Sequence, residues 1–168
     1  METMQKVEPT IIEKEYNAPI KLVFDAWTKV EHLANWQFPM KGFKCAFKET
    51  DISPGGRTLH KMTAPNGFEM WLLTKYEEII PNHTIVFRQY NSDENGEILP
   101  NPQMPNWPKE LQTTIKLEES DNKTKLQLIW QPITPSEEEA TAFDMSRSEH
   151  GNGWAGGLAN LEQYLEQQ

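Results

Sequence analysis

Two periodicities divide this chain: apolar residues recur in steps of two across most of the stretch from Phe43 to Trp130, and in steps of three and four before and after it. Ile11, Ile12 and Tyr16 mark a short β-prone stretch that stops at Asn17-Ala18-Pro19, a helix start with Asn17 as an Asx cap. Leu22, Val23, Ala26 and Trp27 then recur at helical spacing, and a second short helical piece from Glu31 to Trp36 carries Leu33 and Trp36. After Pro39 the texture changes, and Phe43, Cys45 and Phe47 alternate with lysines and an alanine, as in a strand with one solvated face. Ser53-Pro54-Gly55-Gly56 turns the chain. Arg57 to Thr63 and Phe68 to Ile80 flank Ala64-Pro65-Asn66-Gly67, whose Asn-Gly pair is expected to supply the positive φ values of a hairpin. Beyond Pro81-Asn82-His83, Thr84 to Tyr90 reads as a strand. Thr113, Ile115 and Leu117, then Thr124, Leu126, Leu128 and Trp130, form two alternating runs around Asp121-Asn122. Amphipathic strands in series predict an antiparallel sheet covered on one face.

The cover is the C-terminal segment. Thr134-Pro135-Ser136-Glu137 reads as a capping box with Thr134 as cap, so a helix is expected from Pro135. Its apolar stripe runs through Ala140, Phe143, Trp154, Leu158, Leu161 and Leu165. Gly151, Gly153, Gly156 and Gly157 interrupt it, each costing a helix interior roughly 1 kcal/mol against alanine. Two accounts are open: a bend or break between two helices, or missing side chains that leave room for a ligand or a close backbone contact.

Asn91 to Glu110 breaks the strand rhythm. It holds Pro100, Pro102, Pro105 and Pro108 together with Leu99, Met104 and Trp107, a combination expected of an ordered flap at the mouth of the core; the plainer account is a surface excursion stapled by Trp107. A chain of 168 residues suits one domain spanning 1–168. A net charge of -9 disfavours nucleic acid and anionic membranes as partners. The lone Cys45 allows no internal disulfide, Met1 to Lys6 lacks the apolar run of a signal peptide, and no stretch has the length of a membrane span, so a cytoplasmic location is expected. Self-association as a homodimer is left open. With no HExxH string, cysteine pair, phosphate loop or GxSxG elbow, neither a metal nor another cofactor is expected. The Glu137-Glu138-Glu139 run suits the first turn of a helix rather than a metal.

Candidate chemistry is sparse. His60, Glu69 and His150 are the residues suited to acid/base work, because an imidazole or a carboxylate in an apolar cavity can be tuned toward neutral pH. Hairpin register could bring His60 and Glu69 together, although a solvated cross-strand pair explains both, and His150 can be a hydrogen-bonded wall residue. Arg57 and Arg88 could hold a ligand carboxylate or make ordinary salt bridges. Met70, Trp71, Met104, Trp107 and Trp154 are further candidates for the wall of a ligand cavity, together with His150, while Trp130 suits the core and Trp27 and Trp36 suit fixing the short helices.

Several strings, in order and at their spacing, resemble a known family. They are Tyr16-Asn17-Ala18-Pro19, Val23-Phe24-Asp25-Ala26-Trp27-Thr28, His32-Leu33 with Trp36, Pro54-Gly55-Gly56, Tyr76-Glu77-Glu78-Ile79, and Gly153-Trp154 with Leu158, Leu161 and Tyr164-Leu165. Together they resemble the family named for the C-terminal domain of the activator of heat-shock protein 90 ATPase, within the START-like (SRPBCC) superfamily, over nearly the whole chain. Pro105-Asn106-Trp107-Pro108 is similar to an insertion in some stand-alone bacterial and archaeal members. The resemblance implies an α+β helix-grip fold: a curved antiparallel β-sheet wrapped around a long C-terminal α-helix, with two short helices after the first strand. It also implies a pocket between sheet and helix, often used for small hydrophobic molecules. Binding of such a molecule, hydrophobic or amphipathic, is the leading expectation. A cyclase- or hydrolase-like enzyme using the same cavity is the second. A chaperone ATPase-activator-like module is the third, because the chain begins at the first strand and so is expected to lack the separate domain that engages the chaperone.

Overall fold

The computed structural model describes residues 7–37 and 42–168. The signal-peptide reading of Met1 to Lys6 and the change of texture at Pro39 lie outside them. Strand β1 (Thr10–Tyr16) leads into helices α1 (Ile20–Thr28) and α2 (Val30–Leu33). Five strands in series follow β2 (Lys44–Thr50): β3 (Arg57–Thr63), β4 (Glu69–Ile80), β5 (Thr84–Ser92), β6 (Leu111–Ser120) and β7 (Lys123–Pro132). The chain ends in α3 (Glu137–Met145) and α4 (Arg147–Glu166). All seven strands make one antiparallel sheet in the order β1-β7-β6-β5-β4-β3-β2, so the first two strands occupy opposite edges and the two short helices carry the chain between them. The sheet is curved and does not close, and the fold is the α+β helix grip. Register shifts at Phe47/Glu49 and Tyr76/Glu78 are bulges of the kind that bend a strand.

Strict alternation sorts the side chains. Ile12 and Tyr16 of β1, Leu111, Thr113, Ile115 and Leu117 of β6, and Thr124, Leu126, Leu128 and Trp130 of β7 share the inner face. There they pack with Phe143 of α3 and with Leu158, Leu161 and Leu165 of α4. Helix α4 is fastened along β1: Tyr16 Oη donates to the Leu158 carbonyl (3.1 Å), Lys14 Nζ meets Glu162 Oε1 (3.3 Å), and Thr10 reaches His150. Trp27 and Trp36 meet edge to face at 4.6 Å, and Trp36 Nε1 donates to the Ala26 carbonyl (2.9 Å), which fixes α1 against α2. A second, small apolar cluster lies on the outer face, where Leu59, Leu73 and Tyr90 stand side by side on β3, β4 and β5 with Trp71 against them.

Local chemistry differs from expectation at four points. Helix α1 has Pro19 at its N-cap with no side-chain cap from Asn17; the Ile20 amide is instead satisfied by Glu119 Oε2 of β6 (2.8 Å). In the β3–β4 hairpin only Gly67 has positive φ (90°), because Pro65 occupies the second position of a turn closed by Gly67 N–H to the Ala64 carbonyl (2.9 Å). The capping box belongs to Ser136 and Glu139: Ser136 Oγ accepts from the Glu139 amide (3.1 Å), and Glu139 Oε1 accepts from the Ser136 amide (3.0 Å). Thr134, two residues earlier, sits at φ 41°, where no helix can start. The break between the two C-terminal helices falls at Ser146 (φ -99°, ψ 11°) rather than among the glycines, which all lie within α4.

Ser136→Ala is therefore expected to lower stability by about 1 kcal/mol through loss of the cap. Thr134→Gly should raise it by a similar amount, about 1 kcal/mol, by relieving a β-branched residue of left-handed backbone. Urea unfolding of the two variants checks both signs, which a cap at Thr134 would reverse.

Candidate functional site

Helix α4 lies along β1, so the inner face of β3 and β4 extends past it. A cavity of about 310 Å³ occupies that space. His60 and Met62 of β3 and Met70 and Leu72 of β4 form one wall, cross-paired as His60 with Leu72 and Met62 with Met70. Trp130 of β7 and His150, Gly153, Trp154 and Gly157 of α4 form another. A Cβ placed on Gly153 would meet nothing within 4 Å, so this wall position borders open space. Of the two accounts of the helix glycines, room on the cavity side describes Gly153, whereas the helix break belongs to Ser146.

The third wall comes from the loop. Trp107 and Pro108 line the cavity, and Trp107 packs against Trp130 (5.8 Å), Phe143 (6.0 Å) and His150 (6.1 Å) between ring centroids. The Lys109 amide donates to Glu139 Oε2 (3.1 Å), the free oxygen of the capping-box carboxylate. One glutamate thus caps α3 and ties down the loop at the cavity mouth.

The two cavity histidines are in opposite situations. Ser146 Oγ donates to the Phe143 carbonyl (3.2 Å), so toward His150 it acts as acceptor and His150 Nδ1 carries the hydrogen (3.1 Å). His150 Nε2 is then the acceptor for Thr10 Oγ1–H (2.6 Å), and Thr10 Oγ1 in turn receives Arg147 Nη1 (3.3 Å). Stacked on Phe143 at 4.5 Å, His150 is a fully committed wall residue. His60 is 1% exposed, stacks on Phe47 (4.9 Å between centroids), and has no hydrogen-bond partner for either ring nitrogen among the described residues. Trp130 Nε1 is also unpartnered, at 9% exposure. Burial pushes the His60 pKa down to about 4; burial, reinforced by the Arg147 charge, does the same to His150. Both imidazoles are neutral at pH 7.

The remaining candidates fall elsewhere. Glu69 is paired with Lys61 (2.7 Å) and lies opposite Thr63, on the face away from His60, so strand alternation keeps the two apart. Arg57 makes a two-pronged bond to Glu49 on the outer face (2.8 and 2.9 Å), which holds the Glu49 carboxyl below its usual range. Arg88 faces Glu77 (3.4 Å), Glu110 (3.6 Å) and Gln112. Trp71 is on the outer face with Lys48 and Lys61 each 5.9 Å from its ring, and Met104 is 38% exposed on the loop. Arg57, Trp71, Arg88 and Met104 are thus outside the cavity, whereas Met70, Trp107, His150 and Trp154 line it. Met62 and Leu72 escaped sequence reasoning although they stand two residues from His60 and Met70 on the same strand faces, which is the signal that finds them. Trp36, expected only to fix the short helices, also lines the cavity. Cys45, whose thiol is pushed up to about 12 by burial, stays protonated.

Among the described residues no cluster of three or more His, Cys, Asp or Glu could hold a metal, and no helix is long and apolar enough to cross a membrane. An open antiparallel sheet gripping a C-terminal helix around an aromatic-lined cavity defines a protein of the START-like class. The chain belongs to the family of activator of Hsp90 ATPase homolog 1-like proteins, whose model matches residues 17–166. It is similar to solved structures of a protein from Arthrobacter aurescens (21% identity, 99% of this chain and 94% of that one, TM-score 0.79) and one from Staphylococcus epidermidis (24%, 99% and 94%, 0.75). An AHSA1 protein from Silicibacter pomeroyi is similar at 16% identity over 94% of this chain and 97% of that one, with a TM-score of 0.73. At these identities the fold is what is shared. No curated protein matches the chain.

Acid should destabilise the protein through its two depressed histidines. Both titrate near 6.5 when unfolded, so between that pH and about 4 the unfolded chain binds protons that the folded one does not. Stability is full above this window and falls as pH drops through it. Urea midpoints from pH 7 to pH 4.5 check the slope, which His60→Leu should reduce. At pH 7 the same variant should gain roughly 1–3 kcal/mol, because a buried donor and acceptor without partners are removed.

Proposed function

We propose that the protein binds a small hydrophobic or amphipathic molecule in the cavity between β3, β4 and α4, with no chemistry required. The observation that carries this reading is the cavity wall: four tryptophans, two methionines and two leucines converge on a space that Gly153 also borders. A helix glycine facing open space weakens the helix, and that cost is accounted for if the space has an occupant. Removing apolar ligand surface from water, at about 25 cal/mol per Å², supplies the driving force for such binding. Binding is favoured over turnover because His150 has both nitrogens engaged and, among the described residues, no carboxylate lines the cavity to pair with His60.

Gly153→Leu tests the reading. Position 153 lines the cavity, a Cβ there meets nothing within 4 Å, and leucine improves helix propensity by up to about 1 kcal/mol. The variant should melt higher than the parent yet bind the neutral fluorophore N-phenyl-1-naphthylamine at least tenfold more weakly, followed by quenching of tryptophan emission. Gly151→Ala serves as control: it lies outside the cavity wall, also meets open space, and should gain stability without changing affinity. Unchanged fluorophore binding in Gly153→Leu would place the probe elsewhere on the protein and remove the support for this site.

A further inference from the structure

The walls of the cavity are not equally fixed. Most of its lining residues belong to strands or to α4, where sheet and helix hydrogen bonds hold the backbone, or to the turn after α2, where the Gln37 amide donates to the Leu33 carbonyl (2.9 Å). The exception is the segment that supplies Asn101, Trp107 and Pro108. Among the described residues, residues 100–108 hydrogen-bond only to one another: the Gln103 and Met104 amides donate to Asn101 Oδ1 (2.8 and 3.1 Å), and the Trp107 amide donates to the Met104 carbonyl (2.9 Å). The segment is tied at its two ends. Before it the Leu99 amide donates to the Asn91 carbonyl (2.9 Å), and after it the Lys109 amide donates to Glu139 Oε2 (3.1 Å). Between those ties most of its residues are exposed, and the Trp107 ring packs on the core.

We propose that residues 100–108 form a lid over the cavity, with Trp107 as its plug and the Lys109–Glu139 hydrogen bond as its latch, so that a small apolar molecule enters and leaves when this strap lifts. The inference rests on the reading of the cavity as a ligand site. A wall opens where the fewest backbone hydrogen bonds to the rest of the protein must break. Lifting this one breaks a single such bond, from the Lys109 amide, and withdraws one ring from Trp130, Phe143 and His150. Parting β3 from β4, or α4 from β1, would instead break ladder bonds or expose the leucine stripe. The latch is separable from the helix cap. The carboxylate of Glu139 serves two amides because it has two acceptor oxygens, whereas a carboxamide has one. Glutamine also serves in a capping box, so Glu139→Gln keeps the bond to Ser136 and gives up the bond to Lys109. Lys109→Pro removes the donor from the other side and leaves α3 untouched.

Stopped-flow mixing of the full chain with N-phenyl-1-naphthylamine, and dilution of the complex, measure passage in both directions. In Glu139→Gln the association and dissociation rate constants should both rise about tenfold, the factor that one lost hydrogen bond to a carboxylate supplies. Kd should change less than about twofold, because Glu139 does not line the cavity. Lys109→Pro should also raise both rates, and the double variant should exceed neither single one by more than about twofold, since both remove the same bond. Thr124→Val gives up the buried hydrogen bond to the Ala18 carbonyl (2.7 Å), away from the cavity wall, and should leave both rates unchanged. Rates that do not move in Glu139→Gln, or a dissociation rate that rises alone, refute the lid while the cavity reading stands. Equal acceleration in Thr124→Val, or effects that multiply in the double variant, remove the latch. Glu139→Gln decides the question even if Lys109→Pro does not fold. The strap is also followed without ligand, through the fluorine resonance of Trp107 in protein labelled with 5-fluorotryptophan, assigned by its loss in Trp107→Phe. Glu139→Gln should broaden this line selectively. A fluorophore that fails to bind the wild type removes the cavity reading; a Trp107 line that then stays as sharp in Glu139→Gln as in the parent removes the lid as well, whereas selective broadening keeps it.

Discussion

Everything in this molecule follows from where the C-terminal stripe comes to rest. Leu158, Leu161 and Leu165, with Phe143 ahead of them, close over the strand faces of β1, β6 and β7, and each fully buried leucine is worth about 1.5–3 kcal/mol. Tyr16, Lys14 and Thr10 hold the helix along β1 at three successive levels. A helix pinned along one edge of a seven-stranded sheet cannot also cover the far strands. The inner face of β3 and β4 is left to be roofed by a loop and by whatever the helix lacks at Gly153.

Several buried polar groups are paired: Tyr16 with Leu158, Thr124 with Ala18 (2.7 Å), Trp36 with Ala26, and His150 in its chain from Arg147 through Thr10 to Ser146. Among the described residues, Trp27, His60, Thr113 and Trp130 each keep a buried polar atom without a partner. Native interiors tolerate few unsatisfied groups because each costs on the order of 1–3 kcal/mol, and those that persist tend to mark sites of use. Two of these four, His60 and Trp130, line the cavity.

The strands and the helix grip were legible because they rest on period-two alternation and on the spacing of Leu158, Leu161 and Leu165, which depend on burial alone. Features decided by a few backbone atoms were not. Thr134 and Ser136 both offer a hydroxyl three residues before a glutamate, since Glu137 and Glu139 stand in the same run, and only the left-handed backbone at Thr134 selects between them. For the cavity, Met70, Trp107, His150 and Trp154 were accessible from composition and helical phase. Arg57, Arg88 and Trp71 failed because their side of the sheet is fixed by strand parity relative to His60, and the outer face has an apolar cluster of its own that makes Trp71 look like a core residue from either side. The loop could be recognised as ordered but not placed, because its anchor is a contact between the Lys109 backbone and Glu139, thirty residues apart, which no local pattern records.

That anchor couples two parts of the chain that composition would treat as unrelated. The carboxylate of Glu139 divides its oxygens between the Ser136 amide and the Lys109 amide, so the first turn of α3 and the segment bearing Trp107 share a single fastening. Local opening in proteins proceeds in contiguous cooperative units. Fraying of that helical turn and loosening of the tryptophan from its aromatic bed therefore belong to one unit, so the order of the loop that walls the cavity depends on the terminus of a helix that does not line it.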